Sequence, residues 1–299
     1  METVVFGAGS LGSLIGGILA RSHDVTLVAR EDHVRTVRES GLRVTGELET
    51  TVWPSATTDG RDLEAELAVI TVKAADTTSA AETLATGSFD AVLSLQNGMG
   101  NEETLVDRLE APVLAGTATY GAVLRESGVV ACTGLGDVVL GPRDGGSSEL
   151  AERVGEAFAA AGLETTVADD MPRRLWEKLA VNAGINPVTA LSDVANGAVL
   201  EGPASDLASA ATRETARVAR ACDVSISSRE AITAMERVAA DTAANTSSMR
   251  QDVRAGRRTE IDAINGYVVE RANELGLEAP TNRTVTSLIR TWERGSGLR

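Results

Sequence analysis

The sequence almost lacks lysine: of its 28 basic residues only two, Lys73 and Lys178, are lysines, and the other 26 are arginines. Arginine keeps its charge permanently, whereas an ammonium can be tuned to release a proton. Two lysines spared in such a chain are therefore candidates for proton chemistry. Aromatic residues are scarce too, at 3%, so any core must rest on Val, Leu, Ile and Ala, for which the 43% hydrophobic content is ample. The two cysteines, Cys132 and Cys222, are too few and too far apart for a disulfide framework or a zinc site. Both read as small buried apolar groups, and no metal is expected. No apolar run approaches a membrane span and no secretory signal is visible, so a cytoplasmic protein is expected.

Positive charge is also in deficit. The chain carries 43 acids and a formal charge of −15, which repels nucleic acid and anionic membranes and excludes both as expected partners. The acids are interspersed with apolar residues, so the charge does not imply disorder. Many acids with almost no lysine is the surface chemistry expected of a halophilic protein, where concentrated salt screens self-repulsion.

A length of 299 residues points to two domains. The first begins with a β-branched run, Thr3 to Phe6, that leads directly into Gly7-Ala8-Gly9-Ser10-Leu11-Gly12 and then a helical pattern. This is the G-x-G-x-x-G fingerprint between a strand and a helix, and it predicts dinucleotide binding. Gly7 permits the tight turn, Gly9 admits a pyrophosphate, and Gly12 lets helix and strand pack closely. A second strand, Asp24 to Ala29, ends at Arg30. A cation there favours the 2′-phosphate of NADPH, although Glu31 and a surface role for Arg30 leave NADH open. Lys73 closes the apolar run Leu67 to Val72, and Asn97-Gly98 follows the run Ala91 to Leu95. Carboxyl ends of parallel strands are where ligands bind, although Asn97 is also a common turn residue. Glycine-punctuated extended pieces (Thr117 to Leu124, Gly128 to Thr133, Asp137 to Gly141) are expected to continue or edge the same sheet. A boundary near residue 169 separates an α/β Rossmann-type domain, 1–168, from an all-α domain, 169–299.

In the second half, Lys178, Asn182 and Asn186 recur at steps of four and so share one helix face. Taken alone, such a stripe is also what a solvated face looks like. Pro187 is expected to end or kink that helix. Further helices are predicted over Asp206 to Cys222, Arg229 to Thr246, Thr259 to Leu275 and Thr281 to Glu293.

Together with Asn245 to Asp252 (NTSSMRQD) and Arg257 to Tyr267 (RRTEIDAINGY), the stretch Trp176 to Pro187 resembles the ketopantoate reductase (2-dehydropantoate 2-reductase) family; the glycine loop, Lys73 and Asn97 to Gly100 match its motifs as well. The resemblance runs from end to end. It implies a Rossmann domain, a helical domain, an active site in the cleft between them, and NADPH-dependent reduction of ketopantoate to D-pantoate on the way to coenzyme A. It further implies that Lys178 is the general acid and that Glu260 binds the substrate hydroxyl and helps hold Lys178. Asn182, Asn186, Asn196 and Ser248 become substrate contacts, and Lys73 and Asn97 contacts to cofactor and substrate at the nicotinamide end. Without the family, Glu260 reads as an acid in the first turn of a helix and Asn196 as a turn residue. Asp76, three residues after Lys73, departs from some relatives and keeps NADH in play. A homodimer through the helical domain is expected. The alternatives are reduction of another branched 2-keto acid or a non-catalytic NADP(H) sensor, which would need none of these catalytic residues.

The charge pattern gives the first test. Folding and activity followed against KCl concentration should both rise with salt; full stability in dilute buffer would overturn the halophilic reading.

Overall fold

The computed structural model describes all residues from Met1 to Arg299. They divide into two compact units, Met1–Gln96 with Asn101–Met171, and Asn97–Gly100 with Pro172–Arg299.

The first unit alternates strands and helices: β1 (Glu2–Phe6), α1 (Ser10–Leu19), β2 (Asp24–Val28), α2 (Glu31–Ser40), β3 (Leu42–Gly46), β4 (Thr50–Val52), β5 (Ser55–Thr57), β6 (Glu64–Ile70), α3 (Thr77–Leu84), β7 (Ser88–Ser94), α4 (Asn101–Val106), β8 (Val113–Ala118), β9 (Gly121–Glu126), β10 (Val129–Gly134), β11 (Val138–Pro142), α5 (Glu149–Ala161) and β12 (Thr165–Val167). The main sheet has eight strands in the order β12-β11-β8-β7-β6-β1-β2-β5. It is parallel from β5 to β8, and β11 runs antiparallel to β8. Its centre is made of the continuous apolar runs expected of strands covered on both faces: Leu67 to Ile70 and Ala91 to Leu93 are all buried.

The glycine-punctuated pieces divide between two sheets. Asp137 to Gly141 joins the main sheet as expected, as β11 antiparallel to β8, but the other two pieces largely do not. β9 and β10 pair instead with β3 and β4 in a separate sheet of order β4-β3-β10-β9, with β10 parallel to β3. Strand periodicity identifies a strand and not its partner, and the partner here is chosen by α1. That helix is buried from Gly12 to Leu19. A Cβ on Gly16 would sit 2.6 Å from the Leu27 side chain of the main sheet, and one on Gly17 would sit 3.1 Å from Leu42 and Val44 of the small sheet. Two adjacent glycines thus let one helix pack between two sheets.

The second unit is helical: α6 (Met171–Ser192), α7 (Gly202–Ala221), α8 (Ser228–Asp241), α9 (Ser248–Arg254), α10 (Tyr267–Glu274) and α11 (Pro280–Gly295), with a 3-10 turn over Asn196–Leu200 and a π-turn over Asp262–Gly266. The expected regular helix from Thr259 is therefore interrupted by wide turns. α6 is the central element, with apolar residues buried on most of its circumference, from Trp176 and Leu179 to Val188 and Ala190. No helix is long and apolar enough to cross a membrane.

Of the two outcomes expected at Pro187, an end to the helix does not occur: α6 runs through it to Ser192. Proline cannot donate to the carbonyl four residues back, which leaves the Ala183 oxygen without its helical partner. The side chain of Asn265, fully buried in the π-turn, donates to that oxygen at 3.0 Å. The same amide donates to Asn282 Oδ1 at 2.9 Å, and Asn282 in turn donates to Ala211 O and Glu214. Beyond the proline, Asp193 adopts a left-handed φ of 52° just past the helix end. Arg254 and Arg250 both donate to its carboxylate, and these bonds hold its pKa down at about 2.

Replacing Asn265 by Leu should therefore cost about 1–3 kcal/mol in urea unfolding, the typical penalty for a stranded buried carbonyl. Adding Pro187→Ala, which restores the helical donor, should recover part of the loss. No recovery in the double variant would show that the Ala183 oxygen is not the reason.

Candidate active site

In the first unit, Gly7 has φ 102°, a left-handed value suited to glycine, and a Cβ there would lie 2.7 Å from the Val72 backbone nitrogen. A Cβ on Gly12 would lie 2.4 Å from the Thr71 hydroxyl and 2.5 Å from Gly7 O. Gly9 differs from both: a Cβ there would meet only Gly7 O, at 3.9 Å. The fold itself does not need glycine at this exposed position, so the open space beside it is a cradle that a side chain would fill. Gly9 also begins α1 with no side-chain cap and no acid in the first turn, leaving the helix N-terminus suited to an anion. The two loop carbonyls are turned inward, Gly7 O accepting from the Thr71 hydroxyl at 2.9 Å and Ala8 O from the Ser13 hydroxyl at 3.0 Å. The residues present thus fit a pyrophosphate. Ser10 supports the small sheet, its hydroxyl accepting from Leu124 N at 3.0 Å, while half-buried Leu11 packs against the core.

Arg30 is exposed and immediately precedes α2, which starts with Glu31 and Asp32. β6 ends at Ile70, so Lys73 lies beyond the strand rather than on it, at the start of the short 3-10 turn Ala74–Asp76. Gln96, just before the tetrapeptide Asn97–Gly100, donates to Val72 O and to the Thr77 hydroxyl, tying the two strand-end loops together.

In the second unit the polar stripe of α6 is not a solvated face. Lys178 and Asn182 are half-buried and Asn186 is only 6% exposed. Trp176, Leu179, Ala180 and Ala183 belong to the same core as Ile261 and Ile264, the apolar residues following Glu260. Asn97 Nδ2 donates to Glu260 Oε2 at 3.4 Å, and Met99 N donates to Ala263 O at 2.9 Å. Gly98 has φ 84°, and a Cβ there would strike Ala263 at 2.6 Å. The turn glycine therefore allows the Asn97 segment to lie against the Glu260 segment.

Glu260 is held from both sides. The fully buried carboxylate of Glu293 accepts from Thr259 N at 2.8 Å and from the Thr259 hydroxyl at 2.7 Å, and that hydroxyl accepts from Ile261 N at 3.2 Å. Two residues on, Asp262 is gripped by Arg290, Arg258 and Arg299. Burial pushes its carboxyl pKa up, but Arg299 and Arg290 outweigh this and leave it lowered.

Near the far end of α6, the buried Thr189 hydroxyl lies 2.7 Å from the buried Ser247 hydroxyl, which caps α9 by accepting from Arg250 N. This link brings Ser248, exposed as the first residue of α9, to the Asn186 end of the helix. Asn196 is buried, donating through Nδ2 to Thr242 and through its backbone to Asn245 O, while its Oδ1 has no protein partner. Thr189 and Glu293 are supports with no pattern of their own in the sequence. Ser247 and Asn265 lie within the blocks Asn245 to Asp252 and Arg257 to Tyr267, and Ser247 also carried the signal of a serine placed to cap a helix.

The profile of the ketopantoate reductase PanE/ApbA family matches residues 3–145, and that of its C-terminal region matches residues 170–293. The 2-dehydropantoate 2-reductase of Halobacterium salinarum is 44% identical over 98% of this chain and 99% of its own. Among solved structures, a PanE/ApbA family ketopantoate reductase from Ralstonia eutropha JMP134 superposes with a TM-score of 0.91 at 32% identity, covering 99% of this chain and 100% of its own. A ternary complex of D-mandelate dehydrogenase with NADH and anilino(oxo)acetate has the same fold, with a TM-score of 0.92 at 23% identity and full coverage of both chains. Matched in both halves and along nearly its whole length, this chain belongs to the ketopantoate reductase family.

Proposed function

We propose that this protein reduces 2-dehydropantoate to D-pantoate with a nicotinamide dinucleotide, NADPH rather than NADH. The observation that carries the reading is the half-buried polar stripe of α6, which holds one of only two lysines in the chain within a unit that also brings Asn97 to Glu260. The bound dinucleotide supplies the hydrogen and electron pair that convert the ketone to an alcohol. Negative charge then grows on the ketone oxygen, and a proton must reach it.

Lys178 is the residue assigned to that oxygen. Its ammonium stabilises the developing charge and donates the proton from Nζ. Glu260 accepts a hydrogen bond from the substrate hydroxyl and orients Lys178, with the Glu293–Thr259 clamp fixing its backbone. Asn182, Asn186, Asn196 and Ser248 bind the hydroxyl and carboxylate of the substrate; Asn186 and Asn196 are buried, so their amides offer hydrogen bonds where water competes least. The glycine loop Gly7 to Gly12 holds the pyrophosphate, and Lys73 and Asn97 act at the nicotinamide end. Arg30, exposed beyond the second strand, pairs with a 2′-phosphate through its guanidinium fork.

Lys178→Ala should lower kcat by about 10²–10⁴-fold while leaving the Kd for NADPH nearly unchanged; substantial residual turnover would remove Lys178 from its role. Gly9→Ala should do the opposite, weakening NADPH binding while unfolding within about 1 kcal/mol of the parent, since only a helix-start position changes. Steady-state kinetics with both dinucleotides and a panel of branched 2-keto acids complete the test. A preference for NADH refutes the role of Arg30, and a better substrate than 2-dehydropantoate refutes the substrate assignment.

A further inference from the structure

His33 lies in α2, three residues after Arg30, has no role among the assignments above, and is 4% exposed. Three hydrogen bonds form a chain through it. The Gly128 backbone N–H, in the turn between β9 and β10, donates to His33 Nδ1 at 3.1 Å. His33 Nε2 lies 3.1 Å from Ser13 Oγ, and Ser13 Oγ donates to Ala8 O at 3.0 Å. A backbone N–H can only donate, so Nδ1 must accept and the proton of the neutral ring resides on Nε2. Ser13 has one hydroxyl hydrogen, already committed to Ala8 O, so it must accept from Nε2. Every direction in the chain is therefore determined: Gly128 to His33 to Ser13 to Ala8. Burial lowers the His33 pKa, which keeps the ring in this neutral form near pH 7.

The far end of the chain is the peptide between the first two glycines of the loop. Gly7 and Ala8 give their N–H groups to Val28 O, and Gly7 O is held by Thr71. Ala8 O is the remaining carbonyl, and Ser13 is its donor. Were that peptide to turn over, a carbonyl dipole would face the anion that the α1 N-terminus otherwise attracts.

We propose that His33, acting through Ser13, is a positioning residue for dinucleotide binding: the imidazole orients the Ser13 hydroxyl, and the hydroxyl keeps the Ala8 carbonyl turned away from the pyrophosphate. This rests on the reading of the glycine loop as a dinucleotide site. It also gives the small sheet a function, because the β9–β10 turn sets the ring that sets the loop.

Two amide substitutions separate the two ends of the imidazole. Asn places its amide where Nδ1 lies, keeping an acceptor for Gly128 but losing the donor to Ser13. Gln places a donor where Nε2 lies and keeps the bond to Ser13. NADPH and NADH Kd values are measured by fluorescence titration below the unfolding transition, with Tm recorded for each variant. Ser13→Ala and His33→Asn should each raise Kd about five- to tenfold, as expected for one lost hydrogen bond, with kcat at saturating dinucleotide unchanged. His33→Gln should bind within about twofold of the parent, whatever its Tm. Parental affinity in Ser13→Ala, or equal weakening in His33→Gln and His33→Asn, would overturn the inference and leave His33 a folding contact. If the parent protein binds neither dinucleotide, the dinucleotide reading falls and this inference with it.

Discussion

The second unit depends on how one missing hydrogen is replaced. Pro187 stands inside the central helix and offers no N–H to the Ala183 carbonyl, in a region where water cannot reach it. Asn265 fills that place from the π-turn that follows Glu260. The consequence reaches both ways along the chain. α6 can continue past its proline to Thr189, whose hydroxyl meets Ser247 and so sets the start of the helix that carries Ser248. On the other side, the π-turn is pinned to the helix that carries Lys178, Asn182 and Asn186. One amide thus couples the lysine-bearing helix to the glutamate-bearing segment, and an apolar residue of the same size could not, because it would strand a buried carbonyl.

In the first unit the comparable constraint is the orientation of loop carbonyls. An anion site made from backbone N–H groups fails if a carbonyl points into it, and two hydroxyl groups, Thr71 and Ser13, turn the carbonyls of Gly7 and Ala8 inward. Neither hydroxyl lies at a fixed position of the glycine fingerprint. Each is available because α1 packs tightly: Gly12 leaves room for the Thr71 hydroxyl, and Gly16 and Gly17 let the helix contact both sheets.

The arginine-rich composition has a structural counterpart. Arg250 binds Asp193 twice, through Nε to the carboxylate and through Nη2 to the backbone oxygen. Arg290 reaches Asp262 through Nε and Nη2, and Arg299 joins Glu293 to Asp262. These are fork contacts that a single ammonium does not reproduce. Lysine persists where a movable proton or a compact charge suits a proposed role, at Lys178 and Lys73.

Local pattern in the sequence determined the strand–glycine loop–helix start, the continuous buried strands of the parallel sheet, the switch to helices near residue 169, and the polar stripe of Lys178, Asn182 and Asn186. Each of these is written in neighbouring residues, as a spacing, a periodicity or a turn residue. Tertiary structure decided what depends on partners distant in the chain. β9 and β10 left the main sheet because α1 offered them a second face. Pro187 stayed within its helix because an amide 78 residues later replaced its hydrogen bond. Asn97 met Glu260 across 163 residues because Gly98 could approach Ala263. The physical reason is common to all three: a periodicity reports which face of an element is apolar, whereas a buried hydrogen-bonding group takes whichever donor the folded chain brings within 3 Å, and no local pattern names that donor.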